Sequence, residues 1–184
     1  MDEFSLYILD ITMNSVRAGA KNIDINLQET DDFLYVKIKD YGCGMLKEQV
    51  EKLKNPFYTT RKTRKVGLGI PFFTALAQMT DGYVKIHSRH ESEYADHGTL
   101  IEGKFGHKHI DFIPIGDMPQ TIVTLIQGSP DIDFTFTHKK GEKEVYLSTL
   151  QIKEVLGNEI PLDSPEILGW ISETLKEQYE EVNK

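Results

Sequence analysis

Apolar and polar residues change period several times along the chain, and each change marks an element. From Leu6, the positions Leu6, Leu9, Met13 and Val16 recur at steps of three and four, the stripe of an amphipathic helix that Gly19 is placed to end. Ile23, Ile25 and Leu27 then alternate with polar neighbours. After the polar break from Glu29 to Asp32, the alternation resumes at Leu34, Val36 and Ile38, which predicts a hairpin with one buried face. Met45 to Leu53 reads as a short helix. The basic, polar stretch from Asn55 to Val66 contains Pro56 and fits no period, so it is expected to be a mobile loop. A helix opens near Gly69 and runs to about Thr80 with Ile70, Phe73, Leu76 and Ala77 inward. Strands follow through Val84 and Ile86 and from Thr99 to Phe105.

Beyond residue 106 the periodicity persists, so the remainder is expected to be an appendage with elements of its own rather than a disordered tail. Pro119 to Gln127 predicts a helix stopped by Gly128. Ile132, Phe134 and Phe136 are matched to Val145 and Leu147 across a turn at Lys140-Gly141. Ser148 and Gln151 have capping-box spacing, and Asp163 and Glu166 flank Pro165 before a last helix that uses Leu168, Ile171, Leu175 and Tyr179. The organisation expected is a domain over 1–106 and an α+β appendage over 107–184.

Composition narrows the function classes. A formal charge of -8 argues against a nucleic-acid clamp, which would concentrate Lys and Arg against phosphates, so any such role would have to be local. The single cysteine, Cys43, excludes an intramolecular disulfide framework and suits a reducing cytoplasm. The apolar run from Phe4 to Val16 is broken by Asp10 and Asn14 and has no basic segment before it, so neither a signal peptide nor a membrane span is expected.

Three groups of residues could carry chemistry. Asp10, Asn14 and Arg17 share one stripe of the first helix. The amide oxygen of Asn14 is a hard ligand suited to Mg²⁺, and Asp10 could orient or deprotonate a nucleophile, although a solvated helix face looks the same. Asp40-Tyr41-Gly42-Cys43-Gly44-Met45 joins a strand to a helix. A carboxylate there can accept from an exocyclic amine while glycines admit a ligand close to the backbone; an ordinary turn is the plainer reading. Gly67-Leu68-Gly69 opens a helix just after Arg61, Lys62, Arg64 and Lys65. This is a phosphate cradle in outline, or a solvated loop whose basic cluster stands out in an acidic chain.

In order, Leu9 to Ala20, Asp40 to Met45, Phe57-Tyr58-Thr59-Thr60-Arg61, Gly67-Leu68-Gly69 and Gly98-Thr99 resemble the sequence boxes of the GHKL, or Bergerat-fold, ATPase superfamily over roughly residues 6 to 105. The Phe-Tyr-Thr-Thr-Arg and Gly-Leu-Gly boxes are more similar to histidine kinases, and Asn14-Ser15 with Ala18-Gly19-Ala20 to the mismatch-repair branch. The resemblance implies an α+β, two-layer α/β sandwich in which a mixed sheet is covered by helices on one face. It implies ATP as ligand, Asp40 accepting from the adenine amino group, Gly42 and Gly44 making room for the ring, and Thr99 assisting. It further implies Asn14 holding Mg²⁺, the backbone of Gly67, Leu68 and Gly69 on the phosphates, and Arg17 with Arg61 or Lys62 neutralising charge. Thr59 and Thr60 would be lid packing. Asp10 stands where hydrolytic relatives carry Glu, and a carboxylate one methylene shorter changes the reach to a nucleophile, so slow and brisk hydrolysis are both open.

The six histidines all follow the proposed site, and a histidine kinase's phosphoacceptor helix is not among the elements read here. The chain therefore resembles stand-alone modules such as anti-sigma-factor serine kinases. That implies a regulatory protein kinase acting on a protein partner, or an ATP-driven switch that clamps a partner through residues 107–184. The oligomeric state is left open, a homodimer among the alternatives.

Overall fold

The computed structural model describes residues 3–53, 69–157 and 160–184. Its first element, α1 (Phe4–Arg17), buries Phe4, Tyr7, Ile8 and Ile11 together with Ser5, Thr12 and Ser15. This face differs from the expected stripe: Leu6 is 40% exposed, and Leu9, Met13 and Val16 pack only at the margin of the core. The helix is apolar over most of its circumference, so two stripes compete. The one with the larger aromatic area wins, because Phe4 meets Phe73 and Phe105 at ring-centroid distances of 5.7 and 4.9 Å. Neighbouring backbone supplies partners for the start of α1: Phe4 N donates to the Pro114 carbonyl and Ser5 N to that of Ile115, both at 2.8 Å.

The hairpin forms as the alternation predicts. Strands β1 (Asn22–Glu29) and β2 (Phe33–Asp40) pair antiparallel with Ile25 opposite Ile38 and Leu27 opposite Val36, all buried. α2 (Lys47–Leu53) is followed by α3 (Gly69–Met79), β3 (Tyr83–Arg89) and β4 (Gly98–Gly106). Then come α4 (Met118–Gly128), β5 (Asp133–Lys140), β6 (Lys143–Ser148), α5 (Thr149–Leu156) and α6 (Pro165–Val182). Ser148 caps α5 as its spacing predicts, accepting from Gln151 N; at the start of α6 the N-cap residue is Ser164, whose side chain makes no capping bond.

Among the described residues these strands form one six-stranded sheet in the order β3-β4-β2-β1-β5-β6, mixed because β5 joins β1 in parallel from Asn22↔Asp133 to Glu29↔Lys140. The sheet therefore runs without a break through the boundary expected at 106, and a single apolar core extends from Phe4 to Leu175. The outer strand β6 is shielded by α6: the Gln178 amide accepts from Tyr146 N at 2.7 Å and donates to Tyr146 O at 3.2 Å, occupying groups that would otherwise recruit another strand.

At the end of the sheet where β1 finishes, Glu29 Oε1 lies 3.0 Å from Nε2 of the buried His138, whose Nδ1 is 2.7 Å from the Tyr179 hydroxyl. The three side chains fasten β1, β5 and α6 together. The hydrogen bond from His138 holds the Glu29 carboxyl below its ordinary 4.5, against burial and with help from the charges of His138, Lys140 and His107. Burial, then Glu29 and Asp117, push the Tyr179 hydroxyl well up, so it stays protonated. Because the folded value of Glu29 lies below the unfolded one, its contribution to stability is fully present above about 4.5 and is lost as pH falls through the lower, folded value. Urea unfolding measured across that acid range should fall more steeply for the wild type than for Glu29→Gln. Parallel curves would show that the carboxylate contributes nothing.

Candidate functional site

The alternation of β2 that buries Leu34, Val36 and Ile38 also turns Asp40, the last residue of the strand, toward the helices, where it is 4% exposed. A carboxylate so placed needs donors. Ser15 of α1 donates its hydroxyl to Asp40 Oδ2 at 2.6 Å, and Gly42 N and Thr99 N donate to Oδ1 at 3.0 and 3.2 Å. Of the roughly four acceptor positions of a carboxylate, three are filled by the protein. Among the described residues no fourth donor reaches it.

The turn after Asp40 is clasped from both sides. Cys43 N donates to the Ala18 carbonyl at 3.3 Å, Glu91 N donates to the Cys43 carbonyl at 2.9 Å, and His97 Nδ1 lies 2.5 Å from the Gly42 carbonyl. Gly44 has φ +68°, and a Cβ there would lie 1.9 Å from the Arg89 carbonyl oxygen. Besides any room it leaves for a ligand, this glycine lets β3 and the turn touch. Ser88 of β3 joins the pieces, accepting from Met45 N at 2.8 Å and lying 2.8 Å from Thr99 Oγ1.

On α1, Arg17 Nη1 donates to Asn14 Oδ1 at 2.9 Å, so the oxygen suited to a cation faces a guanidinium. The Asp10 carboxylate lies at the start of α3: a Cβ on Gly69 would sit 2.0 Å from Asp10 Oδ2. An anion in that position interacts favourably with the positive end of a helix. Asp10 and Gly69, which belong to separate boxes of the sequence, are thus neighbours. Among the described residues no group of three or more His, Cys, Asp or Glu converges to hold a metal. Arg61, Lys62, Gly67 and Leu68 lie outside the described residues, as does the Phe57–Thr60 segment.

Three residues of this arrangement carry no role in the sequence reading: Ser15, Ser88 and His97. Ser88 has a readable signal, since it continues the inward positions of Val84 and Ile86 and a polar residue there calls for a buried partner. Ser15 likewise falls on the inner face of α1 once that face is known. The contact of His97 comes from the loop between β3 and β4 and has no local signature.

Residues 2–107 match the model of the "Histidine kinase-, DNA gyrase B-, and HSP90-like ATPase" family. Among curated proteins, the chain is similar to a probable C4-dicarboxylate sensor kinase of Bacillus subtilis, at 29% identity over 77 residues, 42% of this chain and 14% of that protein. It is also similar to sporulation kinase C of the same organism, at 32% over 82 residues, 44% of this chain and 19% of that protein. The chain thus spans a small part of the length of these relatives. Among solved structures, the N-terminal domain of a DNA repair protein matches 86% of this chain and 58% of its own, with TM-score 0.57 and 16% identity. The ATPase domain of MutL from Aquifex aeolicus, complexed with ADP, matches 85% of this chain and 69% of its own, with TM-score 0.54 and 15% identity. Both likenesses concern the fold, and no described helix is long and apolar enough to cross a membrane. The family match takes in α1, the turn after Asp40 and β4 together, and the chain belongs to the histidine kinase-, DNA gyrase B- and HSP90-like ATPases.

Proposed function

We propose that this protein binds Mg-ATP between α1, the turn after β2 and the start of α3, and uses it to regulate a partner protein by phosphorylation. The observation that carries the nucleotide reading is the buried Asp40 carboxylate, held by Ser15, Gly42 and Thr99 with an acceptor position to spare. An adenine amino group suits that position; a guanine oxygen in its place would meet a like partial charge. With nucleotide bound, Arg17 would neutralise phosphate charge and the Asn14 amide oxygen would hold Mg²⁺, which needs few protein ligands of its own. Bound Mg²⁺ would supply neutralisation of phosphate charge. Arg61, Lys62 and the backbone of Gly67, Leu68 and Gly69 are assigned to the phosphates from the sequence order. Asp10 is assigned to activating the acceptor hydroxyl or water.

One observation favours a second reading, an ATP-driven switch that grips a partner without phosphorylating it. The first turn of α1 is bonded to the carbonyls of Pro114 and Ile115, so a shift of the site helix is passed to the segment after residue 106. Incubation with γ-labelled ATP and cell extract separates the two: a labelled protein supports the kinase, and released phosphate alone supports the switch. In either case Asp10→Asn is expected to lower turnover by about a hundredfold or more, with ADP affinity measured by calorimetry nearly unchanged. Wild-type turnover in that variant would remove Asp10 from the mechanism.

A further inference from the structure

The face of the sheet turned away from the helices has a charge opposite to that of the chain. The register aligns Lys85, Glu102 and Lys37 in one row across β3, β4 and β2, with Lys104 and Lys39 in the rows on either side. Neighbouring strands lie about 4.8 Å apart and successive residues on one face about 6.8 Å apart, so the four ammonium groups share a compact patch. Among the described residues of β1 to β4, two carboxylates share this face with them: Glu102, 3.1 Å from Lys37 and 3.6 Å from His87, and Asp24 of β1, which is opposite Lys39 in the register and accepts from the Tyr41 hydroxyl at 3.3 Å. The other three lysines rest on aromatic rings: Lys104 lies 3.6 Å from the centroid of Phe33, Lys39 4.6 Å from that of Tyr41 and Lys85 4.7 Å from that of Tyr83. A chain with 29 acidic and 21 basic residues thus keeps a basic, ring-backed surface on one side.

We propose that this helix-free face of β2, β3 and β4 is a docking surface for an extended acidic segment of a partner protein, whose carboxylates take the ammonium groups of Lys39, Lys85 and Lys104. The rings hold these lysines in place without neutralising them, and among the described residues none of the three is in an ion pair that a carboxylate would have to break. Lys39, Lys85 and Lys104 stand on three neighbouring strands and in three successive rows, so a segment that reaches all three crosses the strands obliquely rather than running along one of them. Single-stranded nucleic acid fits less well. Its bases need bare ring faces to stack on, and here Phe33, Tyr41 and Tyr83 are already covered by lysine. The proposal supplies the partner chemistry that the functional reading above leaves unspecified, and it does not depend on nucleotide binding.

The test uses the full chain and a fluorescein-labelled peptide alternating Glu and Ser, with an oligothymidylate of equal charge alongside. Anisotropy should show saturable binding of the peptide, weakening as salt is raised. The triple variant Lys39→Glu, Lys85→Glu, Lys104→Glu should bind it about tenfold or more weakly, with ADP affinity and melting temperature close to wild type. If the triple reversal disturbs the fold, the corresponding Lys→Gln variant is read the same way. Absence of peptide binding, or equal binding by the variants, overturns the proposal. Tighter binding of the oligothymidylate assigns the face to nucleic acid, and self-association abolished by the triple variant assigns it to a second copy; either result overturns it too. A protein that binds the peptide but not ADP would retain this surface and lose the nucleotide reading.

Discussion

Asp40→Asn is expected to reduce ADP and ATP affinity by about a hundredfold or more while leaving the chain folded. The substitution keeps shape and volume and changes only the donor and acceptor pattern. Gly42 N and Thr99 N both donate to Oδ1, so the amide oxygen of an asparagine must stay on that side. Its amino group then faces the Ser15 hydroxyl and the position offered to a ligand. Ser15 can rotate its hydroxyl to accept, which preserves the local structure. The ligand's amino group has no such freedom and meets a donor where it met a charged acceptor. Losing a charge-assisted hydrogen bond and gaining an opposed donor costs about 3 kcal/mol, which is roughly a hundredfold in affinity. Calorimetry with ADP checks the affinity and thermal unfolding checks the fold. Affinity equal to wild type in a folded Asp40→Asn protein would falsify the pocket as drawn.

The parts of the fold legible in the sequence are those whose information is local. The hairpin of β1 and β2 follows from strict alternation, and the same alternation, carried one step past Ile38, places Asp40 on the buried side. α3 and β4 are legible for the same reason. The working face of α1 is not, because the helix offers two apolar stripes, and the choice between them depends on Phe73 and Phe105 far along the chain. Nor does any local pattern show that β5 pairs with β1. Phe134 and Phe136 announce a strand with a buried face, but its neighbour is fixed by α4 filling the space beside α1. The candidate site is legible in proportion. Asp10, Asn14 and Asp40 stand out as polar residues where the elements would otherwise be apolar, and Ser88 continues the alternation of Val84 and Ile86, whereas Ser15 stands out only once the inward face of α1 is known.

The same long-range pairing sets the second large expected effect: a chain ending at Gly106 should show no cooperative unfolding transition and no measurable ADP binding. The family match ends at residue 107, so this cut keeps the sequence boxes while removing their neighbours. β1 would lose a pairing partner along its whole length, leaving an open edge in the middle of the former sheet. The first turn of α1 would lose the Pro114 and Ile115 carbonyls that accept from Phe4 and Ser5, and its N-cap residue, Glu3, makes no side-chain cap to replace them. Ile23, Ile25, Leu27 and Ile8, all buried in the complete chain, belong to elements that border the removed ones. Exposing even part of each at about 1.5–3 kcal/mol per side chain consumes a large share of the roughly 5–15 kcal/mol that stabilises a domain. Because α1 carries Asp10, Asn14, Ser15 and Arg17, loosening its start reaches the site even where secondary structure survives. Circular dichroism during urea unfolding, with calorimetry on the same sample, decides the matter. A sharp transition with wild-type ADP affinity would show that residues 107–184 are an independent attachment, and their role would then have to be sought in what they bind rather than in what they hold in place.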